Sequence, residues 1–211
     1  MQKLKRINQQ MFVKLTLTEG KMSYSEDDVL SNYRKEYAEC SRYYLDERDG
    51  VRYKVVIIGN QAWLAENLRY KHVESFSFDN DEENDVLYGR YYKHSVLNEV
   101  CPEGFRIPGI SDFVKLYAEF GGVKWLQKEK AWPIDGKETN ISGLSFFPAG
   151  AYDDNGKFFY ADGDVAYFWT FEKSYNDCAY IWQFGNNSQC FSKTTIDGSC
   201  HSVRCVMDLD D

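Results

Sequence analysis

The sequence predicts an α+β fold: a twisted antiparallel sheet flanked by two helices, with long irregular loops. Three observations carry this. From Val51 onward, short apolar and β-branched runs alternate with Gly and Asn turns, the signature of strands joined by tight connections. Two segments, Tyr92 to Val100 and Phe113 to Phe120, place apolar residues at helical spacing. Aromatic residues make up 17% of the 211 positions, with 16 Tyr, 14 Phe and 5 Trp, and such rings favour pleated, half-buried strands.

In chain order, Met1 to Gln10 reads as a polar tail. Val13, Leu15 and Leu17 alternate with polar residues as a strand would. Ser25 can cap a helix, with Asp28 three residues on and Val29, Tyr33, Tyr37 and Cys40 on one face. Residues 1–50 are therefore expected to be an N-terminal extension packed on a domain that spans 51–211.

That domain opens with Tyr53 to Ile58 and Gln61 to Leu68, separated by Gly59-Asn60, a hairpin signal. Between Glu74 and Asp85 lie six acids and no base, which predicts an exposed, solvated loop. Calcium is not expected there, because the run lacks a turn glycine and the alternating carboxylate spacing that the ion requires. Tyr92, Val96 and Val100 then share a helix face. Cys101 to Pro108 delivers the chain into the next helix, with Gly109 at its cap, Asp112 in its first turn and Gly121-Gly122 as its stop.

A polar connection, Trp125 to Ser142, leads to a β-rich second half. Asn155-Gly156 has the chemistry of a hairpin turn. Ala166 to Phe171, Ala179 to Phe184, Gln189 to Thr194 and Ser202 to Met207 complete the strand set, with turns at 185–187 and 196–198.

Charge and composition exclude several functions. A net charge of -8 and a pI near 5.0, without a basic stripe, argue against nucleic acid as partner. No apolar run approaches the ~20 residues that span a bilayer, so no transmembrane segment is expected. Met1 to Gln10 is too polar for the heart of a signal peptide. The six cysteines, with Cys178, Cys190, Cys200 and Cys205 crowded late, suit an oxidising compartment, so a secreted or cell-surface location is expected. His72, His94 and His201 stand apart and fit no zinc spacing, and no nucleophile elbow, P-loop or dinucleotide fingerprint occurs. No cofactor, metal or catalytic residue is expected, and the chain reads as a non-enzymatic protein.

Several stretches match a known family in order: Ile58-Gly59-Asn60-Gln61-Ala62-Trp63-Leu64-Ala65-Glu66-Asn67-Leu68, Tyr88-Gly89-Arg90, Cys101 to Pro108, Pro148-Ala149-Gly150, Ala166 to Thr170 and Ser202-Val203-Arg204-Cys205-Val206. In these the chain resembles the Fibrobacter succinogenes major paralogous domain, a secreted bacterial module related to the C-type lectin-like and formylglycine-generating-enzyme-like folds. The resemblance implies a lectin-like domain whose ends are closed by a bridge between Cys101 and Cys205, leaving Cys40, Cys178, Cys190 and Cys200 with three possible pairings. It also implies that ligands sit on the loops and strands around 169–188. There Glu172, Tyr175, Asn176, Gln183, Asn186 and Asn187 combine hydrogen bonding with an aromatic anchor, and are expected to form one patch for a glycan or protein ligand. Trp169 and Trp182 are expected to be buried. The calcium and sugar motifs of true C-type lectins are missing, so binding is expected to be calcium-independent. Two alternatives stay open: a formylglycine-type cysteine oxidase, suggested by Cys200 and Cys205 with His201 and Arg204 between them, and a structural envelope domain.

Overall fold

The computed structural model describes residues 42–120, 142–153, 158–159, 165–174, 177–185, 189–196 and 198–209. The strand around Val13, the helix from Ser25, the Gly121-Gly122 stop, the connection through 141 and the Asn155-Gly156 turn lie outside these residues.

Strands β2 (Arg52–Ile58) and β3 (Gln61–Leu64) form the expected antiparallel hairpin. Gly59 takes φ 57° at the turn, the left-handed region that costs glycine no side-chain clash. β1 (Arg42–Leu45), from the end of the N-terminal extension, pairs with the outer edge of β2. On the other side β3 receives β12 (Val206–Asp208), so the first hairpin and the last strand meet.

A second, larger sheet runs in the order β10 (Gln189–Thr195), β9 (Cys178–Gly185), β8 (Val165–Lys173), β11 (Ser199–Ser202), β5 (Tyr91–Lys93), β4 (Ser75–Phe76). β6 (Ala151–Asp153) pairs with β11 and with β7 (Phe158–Phe159). All these pairings are antiparallel except the contact of Ser202 with Phe168, which is parallel.

Three expectations need correction. The described strands form two sheets, and the strand expected over Ser202 to Met207 is two strands, one in each sheet, joined by Val203 to Cys205. The joint is set by Arg204. Its buried guanidinium donates to the carbonyls of Leu64 at 3.0 Å and Leu144 at 2.9 Å and to Asn67 Oδ1 at 2.6 Å, and it lies over the Phe146 ring. The helix expected over Tyr92 to Val100 begins as β5, passes through a 3-10 turn at His94–Val96 and is helical only in α2 (Leu97–Val100). Tyr92 has strand partners on both sides, Ser75 and His201, and tertiary pairing overrides the local period. The acidic run is also more ordered than a plain solvated loop. It holds two 3-10 turns and α1 (Asp85–Tyr88), and Arg90 ties it down through Asp85 at 2.5 Å, Ser75 at 2.8 Å and Ser77 at 2.9 Å.

α3 (Ile110–Phe120) forms as its periodicity predicts. Its buried face, Phe113 and Leu116, packs into a cluster with Trp63, Phe146, Phe168, Trp182 and Phe184, and the Phe113 ring stacks on Trp182 with centroids 5.3 Å apart. The opposite face of β8 and β9, with Tyr167, Trp169 and Ile181, enters a second cluster with Tyr53, Leu64 and Tyr92. Trp169 and Trp182 are thus both buried, and Trp169 Nε1 donates to the Tyr92 carbonyl at 2.7 Å. No helix among the described residues is long and apolar enough to cross a membrane.

Candidate ligand-binding cleft

Where α2, the segment 101–109, the start of α3 and the end of β8 converge, they enclose a half-open cleft of about 730 Å³. Its base is an ion-pair network that joins three distant parts of the chain. Arg106 Nε and Nη2 donate to the Asp208 carboxylate on β12 at 2.8 and 2.9 Å, and Nη1 donates to Asp112 Oδ2 on α3 at 2.7 Å. Gln61 Nε2, from β3, donates to both acids, at 2.7 Å to Asp112 and 2.9 Å to Asp208.

Burial alone would raise the Asp112 carboxyl, but hydrogen bonds from Arg106, the Gly109 amide and Gln61 outweigh it and hold the acid below the usual carboxylate range. Asp208 is held down chiefly by Arg106 and then by Gln61. Hydrogen bonds to Asp112 and Asp208 in turn push the Arg106 guanidinium up. The network sets one guanidinium against two carboxylates, so it shapes the cleft and carries one net negative charge.

The upper wall comes from β8. Phe171 is 59% exposed, although its amide is engaged by the Pro108 carbonyl at 3.1 Å. Gly109 makes this approach feasible: a Cβ there would stand 2.4 Å from Phe171 Cε1 and 2.8 Å from Glu172 Oε1. His94, buried under the opposite wall, meets the Trp169 ring edge-on at 5.3 Å. Burial, and then Lys173, lower its pKa, which keeps the imidazole neutral.

Of the six residues expected to bind ligand, two are described. Glu172 closes the N-terminus of α3, both carboxylate oxygens accepting from the Ile110 amide. Gln183 is half-buried on β9, paired with Tyr167 and Cys190. Tyr175, Asn176, Asn186 and Asn187 lie outside the described residues. The structure does not bring Glu172 and Gln183 into one patch. In an antiparallel meander successive connections leave from opposite ends, so Glu172 sits by the β8–β9 connection and Gln183 near Gly185, at the far end of β9.

The cysteines divide by environment. Cys101 is half-buried and lines the cleft, and Cys205 is fully buried beside it. Burial, followed by a hydrogen bond with Cys101, pushes the Cys205 thiol up. Cys200 is packed with Tyr91 and Ala149, and burial pushes its thiol up to about 12. His201 is buried between Tyr167 and Trp169, and burial lowers it to about 3.

Comparison with known families agrees with the sequence resemblance. The model of the Fibrobacter succinogenes major domain matches residues 56–207, and the chain belongs to that family. No curated protein and no solved structure matches the chain.

Proposed function

We propose that this member of the Fibrobacter succinogenes major domain family is a secreted or cell-surface, non-enzymatic ligand-binding or adhesion module. Its ligand is a glycan or protein held without calcium, and its binding site is the cleft between α2, α3 and β8. The observation that carries the reading is Phe171, a large ring standing 59% exposed beside a cleft that the Arg106–Asp112–Asp208 network anchors. Exposed aromatic anchors beside half-enclosed polar walls are where recognition energy concentrates. The fold is proposed to be C-type lectin-like, supported by the pairing of the first hairpin with β12, which joins the two ends of the domain. Tyr175 and Asn176, which lie outside the described residues, are proposed to take part in binding with Glu172.

The cysteine-oxidase alternative has less support, because a nucleophilic thiolate needs a lowered pKa or a base. Cys200 has the reverse environment. The test is a glycan and protein-ligand array probed with the protein and with Phe171→Ala, folding being checked by circular dichroism. A ligand whose binding falls at least tenfold in the variant supports the reading. Ligands that bind both proteins equally would move the site elsewhere, and an array without any ligand would favour the structural envelope domain.

A further inference from the structure

Resting on the cleft as the ligand site, we infer that its ligand is a saccharide bearing a carboxylate, a uronic acid residue. The chain carries a net charge of -8, yet the cleft lining sets three cations, Arg106, Lys115 and Lys173, against two acids, Asp112 and Asp208. Arg106 is consumed by Asp112 and Asp208, whereas Lys115 and Lys173, which line the same cleft, form no ion pair with any described carboxylate. An ammonium on a low-dielectric wall focuses its field into the cavity and attracts an anion.

The charge expected of the ligand is single. A phosphate monoester, close to doubly charged, would face Asp112 and Asp208, and the helix N-terminus that could offset this is already closed by Glu172. A lone carboxylate matches Lys173 with less repulsion from these acids. His94 supplies a second polar contact: its ring nitrogens make no hydrogen bond with a described residue, although the residue is only 8% exposed. A ligand hydroxyl or carboxylate in the cleft would replace water as the partner of this imidazole.

The remaining surface suits a sugar ring better than a peptide. Phe171 is backed against Gly109 and Pro108, so its exposed face can receive the C–H face of a pyranose. Asn98 and Ser111, whose side chains make no hydrogen bond with described residues, are placed to meet hydroxyls. Addition of a peptide strand to β8 beside the cleft is opposed by the Phe171 amide, which is taken by Pro108. The volume lies within the range of small-ligand sites.

The experiment is calorimetric titration with trigalacturonate, triguluronate and cellobiouronate, each beside its methyl ester, and with a sulfated disaccharide and a Glu-rich peptide. At least one uronate is expected to bind, its ester at least tenfold more weakly, with Lys173→Met losing a similar factor and Glu82→Ala none. Equal binding of acid and ester, or preference for the sulfate or the peptide, would overturn the inference. So would the absence of binding by every uronate. Whether the cleft is a ligand site at all is decided separately: array ligands that Phe171→Ala abolishes would preserve that reading while the uronate assignment fails.

Discussion

The Glu172 carboxylate accepts from the Ile110 amide at 2.8 and 3.1 Å, so a strand residue caps a helix that begins 62 positions earlier. The cap fixes the end of β8 against the start of α3, and Phe171, the neighbouring residue, is thereby held at the rim of the cleft. Removing an N-cap acceptor costs roughly 1 kcal/mol. Glu172→Ala is expected to lower stability by about that amount in urea unfolding and to weaken ligand binding, whereas Glu172→Gln should retain most of both. Full stability in the alanine variant would show that the cap contributes nothing.

Gly109 tests the same junction from the other side. A methyl group there would meet Phe171 Cε1 at 2.4 Å and Glu172 Oε1 at 2.8 Å, so both side chains must move. Overpacking of this kind costs roughly 1–3 kcal/mol. Gly109→Ala is expected to lose stability within that range by chemical denaturation and to weaken any ligand bound against Phe171. A neutral effect on both would mean that the side chains yield freely.

Arg204 presents a larger expected effect. It is fully buried, burial lowers its pKa to about 9, and it satisfies two carbonyls and the Asn67 amide oxygen. Arg204→Met would keep much of the packing against Phe146 and Phe168 but strand three acceptors, each worth roughly 1–3 kcal/mol when unsatisfied. A loss of at least about 3 kcal/mol in guanidinium unfolding is expected. A change below about 1 kcal/mol would place the turn's stability elsewhere.

These residues also mark what the sequence made legible. The 59–60 hairpin, α3 and the β8–β9–β10 meander rest on periodicity and turn chemistry within a few residues, and those signals are local. The break at 203–205 is not local: it depends on an arginine reaching back 140 residues to the Leu64 carbonyl. The base of the cleft is hidden for the same reason, since Arg106 and Asp208 are 102 positions apart. Asp112 could be read as a first-turn acid but not as the partner of Arg106 and Gln61. Glu172 reads as a ligand contact because it falls in a polar-aromatic stretch between two strands, where the resembled fold places ligands. A charged residue beside a buried strand, facing a helix start capped only by glycine, was the available signal.

His201 gives a pH dependence with a definite sign. Burial lowers its folded pKa to about 3 from the ordinary 6.5, so below pH 6.5 the unfolded chain binds a proton that the native state refuses. Stability is therefore complete above pH 7 and falls as pH drops through 6.5 towards 3, with a limiting slope of about 1.4 kcal/mol per pH unit. His94 shifts the same way, while Asp112 and Asp208, held low by Arg106, act mainly below pH 4. Urea unfolding between pH 5 and 7 is expected to show this slope, reduced in His201→Gln. Identical slopes in both proteins would exclude His201 as the source.

The last prediction concerns the two cysteines that meet beside the cleft. Cys101 follows α2 and Cys205 precedes β12, and their thiols are in hydrogen-bond contact within the core. In an oxidising compartment they are expected to form a disulfide that closes the domain around the cleft. By the chain-entropy relation a loop of roughly 100 residues stabilises by about 4–5 kcal/mol, less any strain. Non-reducing peptide mapping of protein folded under oxidising conditions should recover the peptides of Cys101 and Cys205 joined. Reduction, or Cys101→Ser, should lower the unfolding midpoint in guanidinium. Two freely alkylated thiols in oxidised, folded protein, or a mapped bridge from either cysteine to Cys200, would exclude this pairing.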